Sequence, residues 1–136
     1  MPSRTFSSRI GNIPPVQDAV LEELEAAGYP EKCRFAVKLA LDEAMANAVR
    51  HGNHNDPDQT VTVDWEVAED RVTIHIEDCG CGFEPAALPD PTAEENLHRP
   101  HGRGVMLMKA YMTQVLFNEA GNRVTLMKRR DCTLPR

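Results

Sequence analysis

A chain of 136 residues with 41% hydrophobic and 26% charged residues has the balance of one globular domain, expected to span residues 1–136. The formal net charge of −6 argues against a broad nucleic-acid footprint, because gripping a phosphate backbone takes concentrated Lys and Arg. No apolar run approaches the ~20 residues of a membrane span, and Met1–Phe6 lacks the apolar segment of a secretory signal. Neither nucleic acid nor membrane is therefore an expected partner, and the expected location is the cytoplasm. The only basic cluster, Lys128-Arg129-Arg130, is expected to be a solvated strand end. Of the cysteines at 33, 79, 81 and 132 only Cys79 and Cys81 are close, and C-x-C lacks the second pair or flanking His of a zinc site, so reduced thiols are expected.

Residues 4–10 can form a short first strand. From Pro15 the pattern turns helical, with Val16, Ala19, Val20, Leu24 and Ala27 at three- and four-residue spacing and Gly28 as a stop. A second helix is expected from about Glu31 to His51, closed by Gly52, with Val37, Leu41, Ala44 and Ala48 as its buried stripe. The polar run Asn53–Asp58 follows as a loop. Two strands alternate cleanly: Val61, Val63, Trp65 and Val67 face one way, and Val72, Ile74 and Ile76 repeat the pattern after a turn at Glu69-Asp70. Residues 84–100 hold four of the ten prolines and little apolar content, a long irregular loop of the kind that is usually functional. A short helix from about Arg103-Gly104 to Tyr111 precedes a closing hairpin of Val115, Phe117, Val124 and Leu126, turned at Ala120-Gly121-Asn122. One-sided burial and hairpin connections imply a two-layer α/β (α+β) sandwich, a mixed, mostly antiparallel sheet with helices on one face.

Three short motifs carry chemistry. In the second helix, Glu43 and Asn47 lie one turn apart and share a face at the edge of the apolar stripe. Asn is a poor mid-helix residue, since its side chain competes for backbone hydrogen bonds; an exposed Glu and a tolerated Asn are the plain alternative. At a strand end, Asp78-Cys79-Gly80-Cys81-Gly82 pairs two glycines that allow a sharp turn and close approach to a flat ligand, with an acid able to accept from an exocyclic amine. The alternative there is an ordinary turn. In His101-Gly102-Arg103-Gly104-Val105, glycines enter a helix whose unpaired N–H groups can hold phosphate oxygens, with Arg103 adding charge. Without a ligand this would be a hinge before an apolar helix, with Met106 and Met108 as packing residues.

The order of these motifs closely resembles the GHKL ATPase superfamily, whose N-box, first glycine box, ATP lid and second glycine box follow one another in the same way over residues 10–130. The E-A-x-x-N-A-x-x-H-G form of Glu43–Gly52 and the small size look most like the anti-sigma-factor serine/threonine kinases of bacterial partner-switching systems. The resemblance implies the Bergerat ATP-binding fold. It implies Asn47 as the Mg²⁺ ligand, Glu43 as the group that orients or deprotonates the nucleophile, and Asp78 on the adenine amine. Gly80 and Gly82 would shape the base pocket, and Gly102, Arg103, Gly104 and Val105 would hold the phosphates of ATP. The implied partners are a sigma factor and a STAS-domain anti-anti-sigma protein, with the chain itself a homodimer. A nucleotide-gated binding module with little or no phosphotransfer is the alternative, and a histidine-kinase fragment a more distant one. Two departures from the family pattern stand out: Asn122 follows Gly121 where Thr is common, and both variable positions of the first glycine box are Cys.

Overall fold

Alternation of apolar and polar residues builds a sheet with one buried face. The computed structural model describes residues 2–54, 56–79 and 100–131, with the backbone alone for 100–105. Five strands, β1 (Ser3–Ser7), β2 (Thr60–Val67), β3 (Arg71–Asp78), β4 (Gln114–Phe117) and β5 (Arg123–Arg129), lie in the order β1-β2-β3-β5-β4. Every pairing between them is antiparallel, where the sequence reading allows a mixed sheet. The register places Val63 opposite Ile76, and Ile76 opposite Val124, so the apolar residues of adjacent strands stand side by side. Val61, Val63, Trp65, Val72, Ile74, Ile76 and Leu126 are all essentially buried, and the helices cover this one face.

Three helices form the second layer: α1 (Ile13–Ala26), α2 (Glu31–Asn47) and α3 (Pro100–Tyr111). The first strand stops at Ser7, short of the expected end. There the Ser7 carbonyl accepts from Asn12 Nδ2 at 3.0 Å, and a 3₁₀ turn over Ile10–Asn12 leads into α1. Gly28, at φ 82°, ends α1 as a left-handed cap: its N–H donates to the Glu25 carbonyl, and that of Tyr29 to the Leu24 carbonyl, both at 3.0 Å. Pro30 then opens α2 after a very short connection. The sheet and α1 are tied by Trp65, whose Nε1 donates to Glu23 Oε2 at 2.6 Å, and α1 to α2 by Gln17 Nε2, which donates to the Lys38 carbonyl at 3.0 Å.

The basic cluster departs from its expectation as a solvated strand end. Lys128 follows Val124 and Leu126 on the inward face of β5 and is 1% exposed. Its Nζ donates to the Tyr111 carbonyl, at the C-terminus of α3, at 2.7 Å. A helix C-terminus presents unpaired carbonyls and partial negative charge, so an ammonium there is held by both. Arg130 in turn reaches the carbonyls of Gly28 and Glu69 at 3.1 and 3.3 Å, with its guanidinium 5.2 Å from the centre of the Tyr29 ring. Period-two alternation assigns Lys128 to the core face; its charge misleads a reading based on polarity.

Tyr29 is buried, and its hydroxyl donates to the Ala68 carbonyl at 2.6 Å. Burial, with Cys33 and Asp70 adding and Arg130 opposing, pushes its pKa up to about 12. The unfolded chain gives up this proton near pH 10 and the folded chain only near 12, so the stabilisation is complete below pH 10 and is lost as pH rises to 12. Denaturation followed by Trp65 fluorescence should show Tyr29→Phe weaker than wild type by ~1 kcal/mol at pH 8, with the gap closing between pH 10 and 12. A gap independent of pH would contradict this.

Candidate nucleotide site

The apolar stripe of α2, formed by Ala36, Val37, Ala40, Leu41, Ala44 and Met45, is buried. Phe35, Lys38 and Asp42 occupy its exposed side. At about 100° per residue, Glu43 and Asn47 project at the border of the stripe, and both are half-buried. α3 packs against α2. The acid and the amide thus lie neither in the core nor on the fully solvated side.

Helix α2 does not run on to His51 as expected. After Asn47 it widens into a π-helical turn over Ala48–Gly52, closed by the N–H of Asn53 donating to the Ala48 carbonyl at 2.9 Å. π-Turns are rare and recur at functional sites. Its consequence is local and specific: the turn carries Gly52 onto the end of β3, where a Cβ built on it would overlap the carboxylate of Asp78. No residue other than glycine fits there without moving that carboxylate.

Asp78 is the last residue of β3 and is half-buried. Its N–H donates to the Asn122 carbonyl at 2.9 Å, and Asn122 Nδ2 approaches the Asp78 carbonyl at 3.4 Å. The Asn122 side chain is oriented by Asn118, whose Nδ2 donates to Asn122 Oδ1 at 2.8 Å, and Gly121 makes the turn at φ 77°. The residue that departs from the common Thr therefore sits beside the strand-end acid. His75, whose pKa is lowered by burial and by Arg123, belongs to the opposite face of the sheet and lies outside this site.

Gly80 and Gly82 lie outside the described residues. Gly102, Arg103, Gly104 and Val105 all fall within the first turns of α3, which begins at Pro100, a few residues earlier than expected. Proline suits a helix start because its missing N–H would have had no partner there, and the following N–H groups of the first turn have no carbonyl within the helix. The structure thus joins Asp78 to the end of the helix that carries Glu43 and Asn47, and packs that helix against the one that begins with the second glycine motif. Sequence reasoning missed the parts played by Gly52 and Asn53. A glycine after a helix signals only a stop, and an Asn in a polar run signals only a loop.

An open antiparallel sheet covered on one face by helices is the architecture of a GHKL-type ATPase domain. Residues 6–128 match the family described as a histidine kinase-like ATPase domain. The anti-sigma F factor of Clostridium botulinum (strain Eklund 17B) is 34% identical over 99 residues, spanning 68% of each chain. That of Clostridium beijerinckii is 38% identical over 90 residues, 63% of this chain and 62% of its own. The serine-protein kinase RsbW of Listeria innocua is 27% identical over 109 residues, covering 75% of this chain and 69% of the relative. The chain belongs to the histidine kinase-like ATPases and, within them, to the anti-sigma-factor serine/threonine protein kinases.

The contact between Gly52 and Asp78 is open to a double-mutant cycle. Gly52→Ala should destabilise the chain by ~1–3 kcal/mol through overpacking. In an Asp78→Ala background the same change should be neutral or stabilising by up to ~1 kcal/mol, since Ala is the better helix former. Urea titrations of the four proteins measure this; equal costs in the two backgrounds would show that the carboxylate is not what the methyl group meets.

Proposed function

We propose that the chain transfers the γ-phosphoryl group of Mg·ATP to a Ser or Thr hydroxyl of a STAS-domain anti-anti-sigma protein, and that in its other regulatory state it holds a sigma factor. The observation that carries this reading is the junction of α2 with β3. The backbone of Gly52 lies against the Asp78 carboxylate, so the strand-end acid adjoins the helix bearing Glu43 and Asn47. A homodimer working in the cytoplasm is part of the same proposal; no described helix is long and apolar enough to cross a membrane.

The donor set suits the nucleotide and its ion. No group of three or more His, Cys, Asp and Glu that could hold a metal occurs among the described residues. By the family resemblance the chain would contribute one amide oxygen, from Asn47, with phosphate oxygens and water completing the shell, as magnesium prefers. When bound, the ion would supply positive charge that offsets the negative charge on the transferred group. Asp78, held to the end of α2 at Gly52, would accept from the adenine amine, and Gly80 and Gly82 would shape the base pocket. Gly102, Arg103, Gly104 and Val105 would meet the phosphates with N–H groups of the first turns of α3 and with the guanidinium. Glu43, one turn before Asn47, would accept the proton of the attacking hydroxyl as its oxygen bonds to phosphorus and ADP leaves. Positioning and charge neutralisation carry most of such a reaction.

Two variants separate the roles. Glu43→Ala should slow phosphorylation of a STAS partner by ~10²–10⁴-fold, with ATP affinity in calorimetry changed less than threefold; phosphorylation at the wild-type rate would remove Glu43 from the chemistry. Asn47→Ala should lose the magnesium-dependent part of ATP affinity as well as turnover. An unchanged difference in affinity with and without magnesium would remove Asn47 as a ligand. Transfer of radiolabelled phosphate to the partner tests the kinase itself, and a nucleotide-gated binding module would bind the partner without labelling it.

A further inference from the structure

Asn53 follows the Glu43–Gly52 motif and is given no role by it, yet it is among the most buried polar residues described, 1% exposed. Asparagine carries two donors and an acceptor at the end of its amide, and here they meet three different segments. Nδ2 donates to Ser8 Oγ at 2.6 Å and to the Thr60 carbonyl at 2.9 Å, the first after the end of β1 and the second at the start of β2. Oδ1 accepts from the backbone N–H of Cys79 at 2.9 Å. That N–H is the first after Asp78. Buried amides are placed by such networks because an unmet group in the interior is costly, so the Asn53 side chain fixes where β3 ends.

The backbone around Asp78 is thereby held from both sides. Its own N–H is bonded to the Asn122 carbonyl on one side, and the next N–H to Asn53 on the other. Gly52, adjacent to Asn53, forms the wall against the carboxylate. From these contacts we infer that Asn53 is a positioning residue for base recognition: through the Cys79 N–H it sets the place of the Asp78 carboxylate and so the preference of the site for a 6-aminopurine. This rests on the reading of Asp78 as the adenine acceptor. Glutamine is too long and alanine too short to make the same three bonds. Aspartate keeps the acceptor for Cys79 while giving up both donations.

The test compares calorimetric affinities for ATP and for purine riboside triphosphate, which lacks only the 6-amino group. A charge-assisted hydrogen bond to that amine predicts that wild type prefers ATP by ~10-fold or more. In Asn53→Ala the ratio should fall towards one. Ser8→Ala, which cuts a different arm of the same network, should lower the melting temperature and keep the wild-type ratio. Should Asn53→Ala not fold, Asn53→Ser, which stays polar but is too short to reach the Cys79 N–H, provides the reading, and its ratio should likewise fall towards one. A wild-type ratio in Asn53→Ala or Asn53→Ser, or loss of the ratio in Ser8→Ala to the same extent, would each overturn the assignment. A wild-type protein that binds both nucleotides equally would instead bring down the role of Asp78 itself, and that failure is recognisable because it appears before any substitution is made.

Discussion

The end of α2 has to meet the end of β3 with no side chain between them, and much of the molecule is arranged around that approach. A regular helix continuing to His51 would carry the residues after Asn47 along a different path. Widening to a π-turn over Ala48–Gly52 redirects the backbone, brings Gly52 to the Asp78 carboxylate and turns Asn53 inward. One unusual turn therefore sets both the backbone that lies against the Asp78 carboxylate and the side chain that holds the Cys79 N–H. The same turn keeps Asn47 as the last residue of the α-helix proper, so the amide and the strand-end acid are linked by only a few residues of tightly bonded backbone.

The opposite end of the domain is fixed by a different chemistry. There Arg130 joins the α1–α2 connection to the β2–β3 turn, and Tyr29 closes on Ala68 beneath it. None of these residues faces the nucleotide motifs. They hold together the loops that the antiparallel hairpins leave at the end of the sheet away from Asp78. Such a division is expected where strain and polarity are concentrated at a site and the remaining structure must over-determine it.

Much of the architecture was legible because the periodicities were clean. Val61–Val67 and Val72–Ile76 alternate without interruption, so strand pairing, the buried face and the hairpin turn at Glu69-Asp70 all follow from side-chain direction alone. The border position of Glu43 and Asn47 follows in the same way from helical geometry. What escaped the sequence was set by tertiary contact. The π-turn over Ala48–Gly52 has no local signature, since His51-Gly52 reads as an ordinary helix stop. Asn53 is polar in a polar stretch, and only the convergence of Ser8, Thr60 and Cys79 gives it three partners inside the protein. Lys128 shows the converse error, where composition suggested solvent although the strand's own alternation pointed inward.

Lys128 also bears on how α3 can serve a triphosphate. The helix is held at its C-terminus by a buried ammonium on the Tyr111 carbonyl, and the turn after it is stitched to β5 by the Thr113 N–H donating to the Met127 carbonyl at 2.9 Å. Its other end contains Gly102 and Gly104, which weaken a helix by ~1 kcal/mol each relative to Ala. Gly102 lies in the turn whose N–H groups have no partner within the helix, and Gly104 follows it directly. A first turn that is intrinsically the weakest part of a well-anchored helix can adjust to phosphate oxygens while the rest of α3 stays packed on α2. With a net charge of −6 the field of the whole chain offers a polyanion no attraction, so any hold on one would have to come from local groups.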